Sequence, residues 1–249
     1  MTFSADQVIL VTGASSGIGE GIARACVDLG ATVLAVGRNG ERLETARAAT
    51  SAPGRWTSLV KDLAEAPATL PEWITGLSRT HGKLWGLVHC AGRAVMDTLR
   101  TFDLAQSRDI FDINFNVPLL LTRAMADKRV HRKGGSVVFL ASVSGVFPEK
   151  GHLVYGATKA ALVAAAKSLS QEVAPLGLRV NCISPGIVDT PMQKAAEAFM
   201  GPHYREAQLA QYPLGFGQPE DVAEMAAFLL STKARWITGQ NFILSGGRY

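Results

Sequence analysis

Short apolar, β-prone runs alternate with helical stretches from one end of this chain to the other. Most of the runs are continuously apolar, which is typical of strands covered by helices on both faces. This alternation predicts parallel βαβ units and a doubly wound α/β sheet of about seven parallel strands flanked by helices. The predicted strands are 7–12, 31–37, 56–60, 84–90, 135–141, 178–184 and 241–245, and the predicted helices include 17–29, 40–50, 103–129, 155–175 and 219–231.

The chain is predicted to form a single domain, 1–249, because its length suits one large α/β unit and no linker or repeat interrupts it. The longest stretch without a clear strand, 186–218, carries Pro191, Pro202 and Pro213. Sheets of this kind bind ligands in the loops that follow their strands. The segment near 187–212 is therefore predicted to be a substrate lid.

Charge, hydropathy and cysteine usage exclude several classes of protein. The 25 Lys and Arg residues outnumber the 21 Asp and Glu residues, but they are scattered, so no nucleic-acid partner is expected. No apolar run is long enough to span a bilayer and no export signal opens the chain, so we expect no membrane partner and a cytoplasmic location. Cys26, Cys90 and Cys182 are predicted to be reduced core thiols.

The stretch TGASSGIG, 12–19, joins the first predicted strand to the first predicted helix. Gly13, Gly17 and Gly19 form G-x-x-x-G-x-G, which differs from the G-x-G-x-x-G of the standard dinucleotide fingerprint. The same physical reasoning applies, because glycines permit a turn at Gly13 and a helix N-terminus whose free N–H groups face an anion. Alone, the stretch is either a tight turn or a phosphate cradle, and its position between strand and helix favours the cradle.

The end of the second predicted strand, LAVGRN, bears on which dinucleotide would bind. NAD-binding folds usually place an acid there to hold the ribose 2′-hydroxyl, whereas this chain has Gly37 followed by Arg38. A guanidinium can grip a phosphate through paired hydrogen bonds. We therefore predict NADP(H), with NAD(H) less favoured, and Ser15 as a further hydroxyl donor to the 2′-phosphate.

Tyr155 and Lys159 are four residues apart in an Ala-rich predicted helix, so their side chains leave the same face. Hydride delivery to a ketone creates an alkoxide that needs a proton from a placed acid. A neighbouring ammonium lowers the pKa of a phenol, so Lys159 is predicted to tune Tyr155. Ser142 ends a predicted strand 13 positions before Tyr155.

In their order and spacing, these features resemble the short-chain dehydrogenase/reductase family over essentially the whole chain. The matching stretches are TGASSGIG, Asp62-Leu63, Ala91-Gly92, Asn114, Ser142, Tyr155-x-x-x-Lys159, SPGIVDT at 184–190 and ITGQ at 237–240. The resemblance implies a Rossmann fold and an NADP(H)-dependent oxidoreductase that interconverts a ketone and a secondary alcohol. Within the family, the chain is similar to 3-oxoacyl-acyl-carrier-protein reductases and other ketoreductases.

The resemblance also implies a catalytic role for each matching residue. Tyr155 matches the general acid/base, and Ser142 matches the hydroxyl that polarises the substrate carbonyl. Lys159 matches the residue that holds the nicotinamide ribose, and Asn114 matches the support of a water-linked proton relay.

Further positions match the family's cofactor site. Asp62 and Leu63 match the adenine contacts, and the backbone of Ile187 matches a contact with the carboxamide. The full set is Gly13, Ser15, Ser16, Gly17, Ile18, Gly19, Arg38, Asp62, Leu63, Ala91, Gly92, Tyr155, Lys159, Pro185, Gly186, Ile187 and Thr190.

The chain departs from the family pattern at two places. The usual Asn-Asn-Ala-Gly begins here with His89 and Cys90, and the usual Asp-Gly-Gly near the end reads Ser-Gly-Gly at 245–247. Adjacent strand residues point to opposite faces and cannot bind one metal together. We therefore expect no metal, and we interpret His89 as a hydrogen-bonded core histidine.

The sequence leaves two other functions open. One is an NAD-dependent dehydrogenase of a sugar, polyol or steroid alcohol, and the other is a dinucleotide-sensing protein that binds without turnover. Intact Ser142, Tyr155 and Lys159 favour an enzyme, and reduction is the favoured direction because cells keep NADP mostly reduced.

The small-molecule carbonyl or alcohol substrate is expected to contact 93–100, 144–154 and 187–212. These segments have few charges, which favours an apolar or mixed ketone. Basic residues at Arg93, Arg100 and Lys150 would also suit an acyl carrier protein. The family further implies a homo-oligomer, a tetramer or a dimer.

Overall fold

The apolar runs form the strands of one parallel sheet, in a computed structural model that describes residues 1–249. The strand order is β3-β2-β1-β4-β5-β6-β7, and every neighbouring pair is parallel. The predicted doubly wound fold is thereby confirmed. The strands are β1 Val8–Thr12, β2 Thr32–Gly37, β3 Trp56–Val60, β4 Leu84–His89, β5 His131–Leu140, β6 Arg179–Pro185 and β7 Asn241–Leu244.

Helices connect the strands and cover the sheet. The longest has 21 residues and follows β5, and none combines the length and apolar character needed to cross a membrane. The helices are α1 Gly17–Asp28, α2 Gly40–Ala48, α3 Leu70–His81, α4 Leu104–Phe111, α5 Val117–Met125, α6 Leu153–Val173, α7 Pro191–Met200, α8 Tyr204–Leu209 and α9 Pro219–Leu230.

Two hydrophobic cores lie on opposite faces of the sheet, because alternate strand residues point to opposite sides. Ile9 and Val11 of β1 pack into the core that also contains apolar side chains of α1, α2 and α9. Val8 and Leu10 pack into the second core, with α3, α5 and α6. Burial on both faces explains the continuous apolar runs in the sequence.

The predicted helix 103–129 is divided in the structure. A wider π-helical turn, Asp112–Asn116, separates α4 from α5. Pro118 has no N–H to donate to the carbonyl of Asn114, and its ring crowds that carbonyl, so regular α-helical bonding cannot continue. The division was missed although Pro118 was visible in the sequence.

The segment between β6 and β7 contains more structure than the sequence pattern indicated. α7 begins at Pro191 and α8 at Tyr204, both within the stretch predicted as a lid. No side chain of either helix is buried. These two helices therefore lie on the surface of the chain rather than in either core.

Candidate active site

A cleft opens where the strand order reverses between β1 and β4, which is where doubly wound sheets bind ligands. Its walls come from the loops that follow β1, β2, β3, β4, β5 and β6, and from α6. The predicted site residues that line it are Gly13, Ser15, Ser16, Gly17, Ile18, Gly19, Arg38, Asp62, Leu63, Ala91, Gly92, Tyr155, Lys159, Pro185 and Thr190.

The glycines of the β1–α1 loop are required partly by how the chain packs on itself. Gly13 has a φ of +68°, and a Cβ there would lie 2.8 Å from the backbone nitrogen of Ala91. A Cβ at Gly19 would lie 2.3 Å from the carbonyl oxygen of Gly13. These two glycines therefore let the loop approach its neighbours, whatever ligand the cleft holds.

The N-terminus of α1 faces this cleft. Ser16, its N-cap residue, has an extended backbone, and its side chain makes no capping hydrogen bond. Gly17 begins the helix with a φ of +58°. The first N–H groups of α1 are thus not satisfied by the cap side chain, which suits them to bind a phosphate.

Ser15 and Gly37 pack closely at the end of β2. A Cβ at position 37 would lie 2.9 Å from Ser15 Cβ and 3.0 Å from its Oγ. Arg38 follows with a 64% exposed side chain, and its Nη1 is 3.9 Å from Oδ2 of Asp62. This corner thus offers an accessible guanidinium and no room for an acidic side chain at Gly37.

Tyr155 lies in the first turn of α6, and Lys159 lies one turn further on. The Lys159 ammonium is 5.6 Å from the centre of the Tyr155 ring and donates a hydrogen bond of 2.6 Å to the carbonyl of Leu140. Ser142 follows β5 after Ala141; its Oγ accepts a 3.1 Å hydrogen bond from the backbone N–H of Ser144, and its side chain interacts with that of Tyr155. The three predicted catalytic side chains therefore meet at one end of the cleft.

Burial dominates the electrostatics of this group. It raises the pKa of Tyr155, and the interaction with the Ser142 side chain opposes the rise. Burial lowers the pKa of Lys159 to about 8. Desolvation favours the neutral phenol and sets the direction of the shift in Tyr155, while the tuning of Tyr155 by Lys159 stays a prediction.

Asn114 lies in the π-helical turn and braces two parts of the site. Its Oδ1 accepts a 2.8 Å hydrogen bond from the backbone N–H of Arg93, and its Nδ2 donates to the Arg93 carbonyl at 2.9 Å. Nδ2 also donates to Thr158 Oγ1 at 3.1 Å, and Thr158 donates to the carbonyl of Tyr155. Asn114 thus fixes the loop after β4 against the helix that carries Tyr155.

Comparisons with known proteins agree with this geometry. A family model described as Enoyl-(Acyl carrier protein) reductase matches residues 13–248. The chain is 35% identical over 240 residues to 3-oxoacyl-[acyl-carrier-protein] reductase FabG of Rickettsia prowazekii, covering 96% of this chain and 95% of the relative. It is 32% identical over 249 residues to Oxidoreductase UcpA of Escherichia coli K12, covering 97% and 94%.

A solved structure from Brucella melitensis, described as Short-chain dehydrogenase/reductase SDR:Glucose/ribitol dehydrogenase, superposes with a TM-score of 0.90. It is 29% identical, and the match covers 100% of this chain and 99% of that one. The chain belongs to the short-chain dehydrogenase/reductase family. It is therefore an oxidoreductase of a family that uses a nicotinamide dinucleotide.

Four predicted site residues of this short-chain dehydrogenase/reductase do not line the cleft itself. Ser142 and Asn114 are buried and contact residues that do. Gly186 and Ile187 follow β6, and the backbone N–H of Ile187 donates a 3.0 Å hydrogen bond to the hydroxyl of Tyr212. The sequence assigned that N–H to the carboxamide, so the contact with Tyr212 was not foreseen.

Other residues of this short-chain dehydrogenase/reductase line the cleft but were not predicted as cofactor ligands. Lys61 and Arg93 add positive charge, and each immediately adjoins a predicted residue, which is the signal that could have found them. The remaining unpredicted lining residues are Val36, Gly37, Cys90, Ile113, Leu140, Ala141, Pro191 and Met192.

His89 and Cys90 behave differently from one another. Buried His89 bonds Thr122 through Nε2 at 3.1 Å and stacks on Phe139, while its Nδ1 has no partner. Burial lowers the pKa of His89 to about 3, so the ring is neutral. Cys90 is partly exposed in the cleft, which corrects its prediction as a core thiol, whereas Cys26 and Cys182 are buried.

Proposed function

We propose that this short-chain dehydrogenase/reductase uses NADPH to reduce a ketone to a secondary alcohol, with Tyr155 as general acid. The observation that carries the proposal is the meeting of Ser142, Tyr155 and Lys159 at one end of the cleft between β1 and β4. When bound, the reduced nicotinamide supplies the hydride. The protein's own task is then to orient the carbonyl and to provide a proton.

The protonation states of Tyr155 and Lys159 suit the reduction of a carbonyl group. Because burial raises the pKa of Tyr155, its phenol carries a proton at neutral pH and can donate that proton to the forming alkoxide. The hydroxyl of Ser142, whose side chain interacts with Tyr155, donates a hydrogen bond to the same carbonyl oxygen. Lys159, with a pKa of about 8, is mostly protonated at pH 7 and stabilises the negative charge that Tyr155 acquires.

The preference for NADP(H) rests on the corner formed by Ser15, Gly37 and Arg38. An acid at position 37, the feature expected of an NAD site, would clash with Ser15. The exposed guanidinium of Arg38 provides the phosphate-binding group instead. The uncapped N-terminus of α1 suits the pyrophosphate.

The segment 187–212 is proposed to be the substrate lid of the single domain. Pro191 and Met192 of α7 line the cleft, and Phe199 on the same helix is 79% exposed. A surface helix with exposed apolar side chains beside the catalytic group is suited to close over an apolar or mixed ketone. The relative's printed name, together with Arg93 at the cleft, makes a 3-oxoacyl thioester the first substrate class to test.

Tyr155→Phe tests the proposed acid. A panel of ketones and 3-oxoacyl and enoyl thioesters is assayed with NADPH, and NADPH binding is followed by its fluorescence. We expect the substitution to lower kcat by at least about 10³-fold while changing the NADPH Kd by less than about twofold. Retained turnover in the variant would refute the role of Tyr155.

Arg38→Leu tests the cofactor preference, with exposed Arg42→Leu on α2 as a matched control. Loss of a charged hydrogen bond predicts a drop in kcat/KM with NADPH of about 10-fold or more, with NADH unaffected. A wild-type preference for NADH would instead favour the NAD-dependent dehydrogenase. Tight dinucleotide binding without turnover of any carbonyl or alcohol would favour a sensing protein.

A further inference from the structure

The last five residues described by the structure, 245–249, turn back toward the catalytic loops. Gly246 and Gly247 have φ values of +56° and +88°, which reverse the chain direction after β7. Ser245 holds the reversed segment, since its Oγ is 3.2 Å from both the backbone nitrogen and the backbone oxygen of Tyr249. The serine that replaces the family's aspartate therefore has a structural use in this chain.

Arg248 in this segment joins three parts of the molecule. Its guanidinium donates a 3.0 Å hydrogen bond to Oε1 of Gln208 in α8 and forms an ion pair with Glu149. It also lies 5.2 Å from the ring centre of Tyr212 and 3.4 Å from the Tyr212 hydroxyl. With a side chain only 12% exposed, Arg248 is held more tightly than a surface ion pair would be.

Tyr249 reinforces the contact with the loop that precedes α6. Its ring stacks on Phe147, with centres 4.5 Å apart and planes inclined by 4°. Its hydroxyl donates a 2.6 Å hydrogen bond to Oε1 of Glu149, the same oxygen that pairs with Arg248. Phe147 and Glu149 lie between Ser142 and Tyr155 in the chain, so this loop forms one wall of the catalytic region.

Tyr212 connects Arg248 with the opposite wall of the catalytic region, which the segment after β6 forms. Its ring packs against Gly186, where a Cβ would lie 2.9 Å from Tyr212 Cε1, and its hydroxyl accepts the N–H of Ile187. Arg248 therefore connects the loop after β5 with the segment after β6 and with the lid helix α8. These walls have no other ion pair between them.

We propose that Arg248 is a positioning residue that fixes the lid segment 204–212 against the loop 143–152 and so sets the shape of the substrate site. This inference rests on the proposed function for its kinetic consequence. α7 and α8 bury no side chains, and the ion pairs of Arg205 with Asp189 and Glu197 stay within the substrate lid, 187–212. The contacts at Arg248 are those that join α8 to the loop after β5. Removing the contacts of Arg248 lowers the affinity for the carbonyl substrate, while the phosphate-binding residues stay in place.

Arg248→Ala and Arg248→Lys test the proposal, with Arg129→Ala as control. Arg129 forms an exposed 2.6 Å ion pair with Asp127, outside the cleft and just before β5. We expect Arg248→Ala to raise the KM for the carbonyl substrate about tenfold, with kcat and the NADPH Kd within about twofold of wild type. The lysine variant, which keeps the charge for Glu149, should recover part of the loss.

Hydrogen–deuterium exchange provides a readout that needs no substrate. Exchange in 191–212 and 143–152 should rise in Arg248→Ala and stay at the wild-type level in Arg129→Ala. If no carbonyl is reduced by the wild type, the proposed function fails while the exchange result still decides whether Arg248 orders the lid. Unchanged exchange with unchanged KM would overturn the inference.

A double-mutant cycle with Glu149→Gln separates a specific clamp from general destabilisation. If the two side chains act through one contact, the KM effects of Arg248→Ala and Glu149→Gln are strongly non-additive. Additive effects, or an equal weakening of NADPH binding, would show a merely structural role and contradict the proposal. Thermal unfolding of each variant verifies that it is folded.

Discussion

Lys159 is a charged side chain held in a largely dry place, with 7% of its surface exposed. Its pKa falls from 10.5 to about 8 because burial disfavours the ammonium. Keeping the charge at pH 7 therefore costs about 3 kcal/mol of folding free energy. The hydrogen bond to the Leu140 carbonyl offsets part of that cost.

Lys159→Met should therefore stabilise the fold while removing activity. We expect the free energy of unfolding at pH 7 to rise by about 1–3 kcal/mol, measured by urea denaturation. Between pH 8 and 10.5 the unfolded wild type binds more protons than the folded one, so its stability rises with pH and the gain shrinks. Exposed Lys167→Met on the same helix is the control, and a gain independent of pH would contradict the explanation.

Gly19, in α1, and Gly76, in α3, differ in the space that a side chain would have. A Cβ at Gly19 would lie 2.3 Å from the carbonyl oxygen of Gly13, whereas one at Gly76, within α3, would have no atom within 4 Å. Only the first glycine is required by packing. The second merely weakens its helix.

Alanine at these two sites should act with opposite sign. Gly76→Ala should stabilise the protein by about 0.5–1 kcal/mol through helix propensity. Gly19→Ala should destabilise it by about 3 kcal/mol or more and weaken dinucleotide binding, because the helix must move away from β1. Thermal and urea unfolding measure both, and a neutral Gly19→Ala would show that the turn is more adaptable than its geometry indicates.

The π-helical turn between α4 and α5 shows how an element boundary serves the site. Pro118 interrupts the regular helix, and the wider turn before it places Asn114 against Arg93 and Thr158. The sequence pattern over 103–129 predicted one continuous helix, which would not contain this wider turn. Proline identifies the break, but the partners of Asn114 are 21 and 44 positions away in the chain.

Exposed apolar side chains suggest where copies of the chain meet. Trp236, just before β7, is 90% exposed, and Ala157, Ala160 and Ala164 form an exposed stripe of small residues on α6. We expect a homo-oligomer, a tetramer or a dimer, with a mass in solution four or two times the 26.5 kDa of one chain.

Trp236→Glu should lower the mass measured by light scattering, because a buried carboxylate would oppose association through β7. Val60→Glu is the matched control, since Val60 is 64% exposed at the other edge of the sheet. A monomeric wild type, or equal effects of the two substitutions, would contradict an interface at Trp236.

The strands, the main helices and most of the cleft residues were predictable because their signals are local. Buried strands show as continuous apolar runs, and Gly13, Arg38, Tyr155 and Lys159 stand at fixed offsets from strand or helix ends. Parallel strands bring their carboxyl ends to one edge, so residues that follow different strands converge there without further information. The family resemblance added the roles of these residues.

Contacts between residues far apart in the chain could not be predicted, because they depend on tertiary packing and leave no hydrophobic periodicity in the sequence. The exclusion of an acid at Gly37 depends on Ser15, and the use of Ser245 depends on where Tyr249 returns. The pairing of Arg248 with Glu149 joins positions 99 residues apart. Sequence alone thus determined most of the residues that line the cleft, while the three-dimensional packing determined how its walls are held, because side-chain partners are chosen by proximity in space.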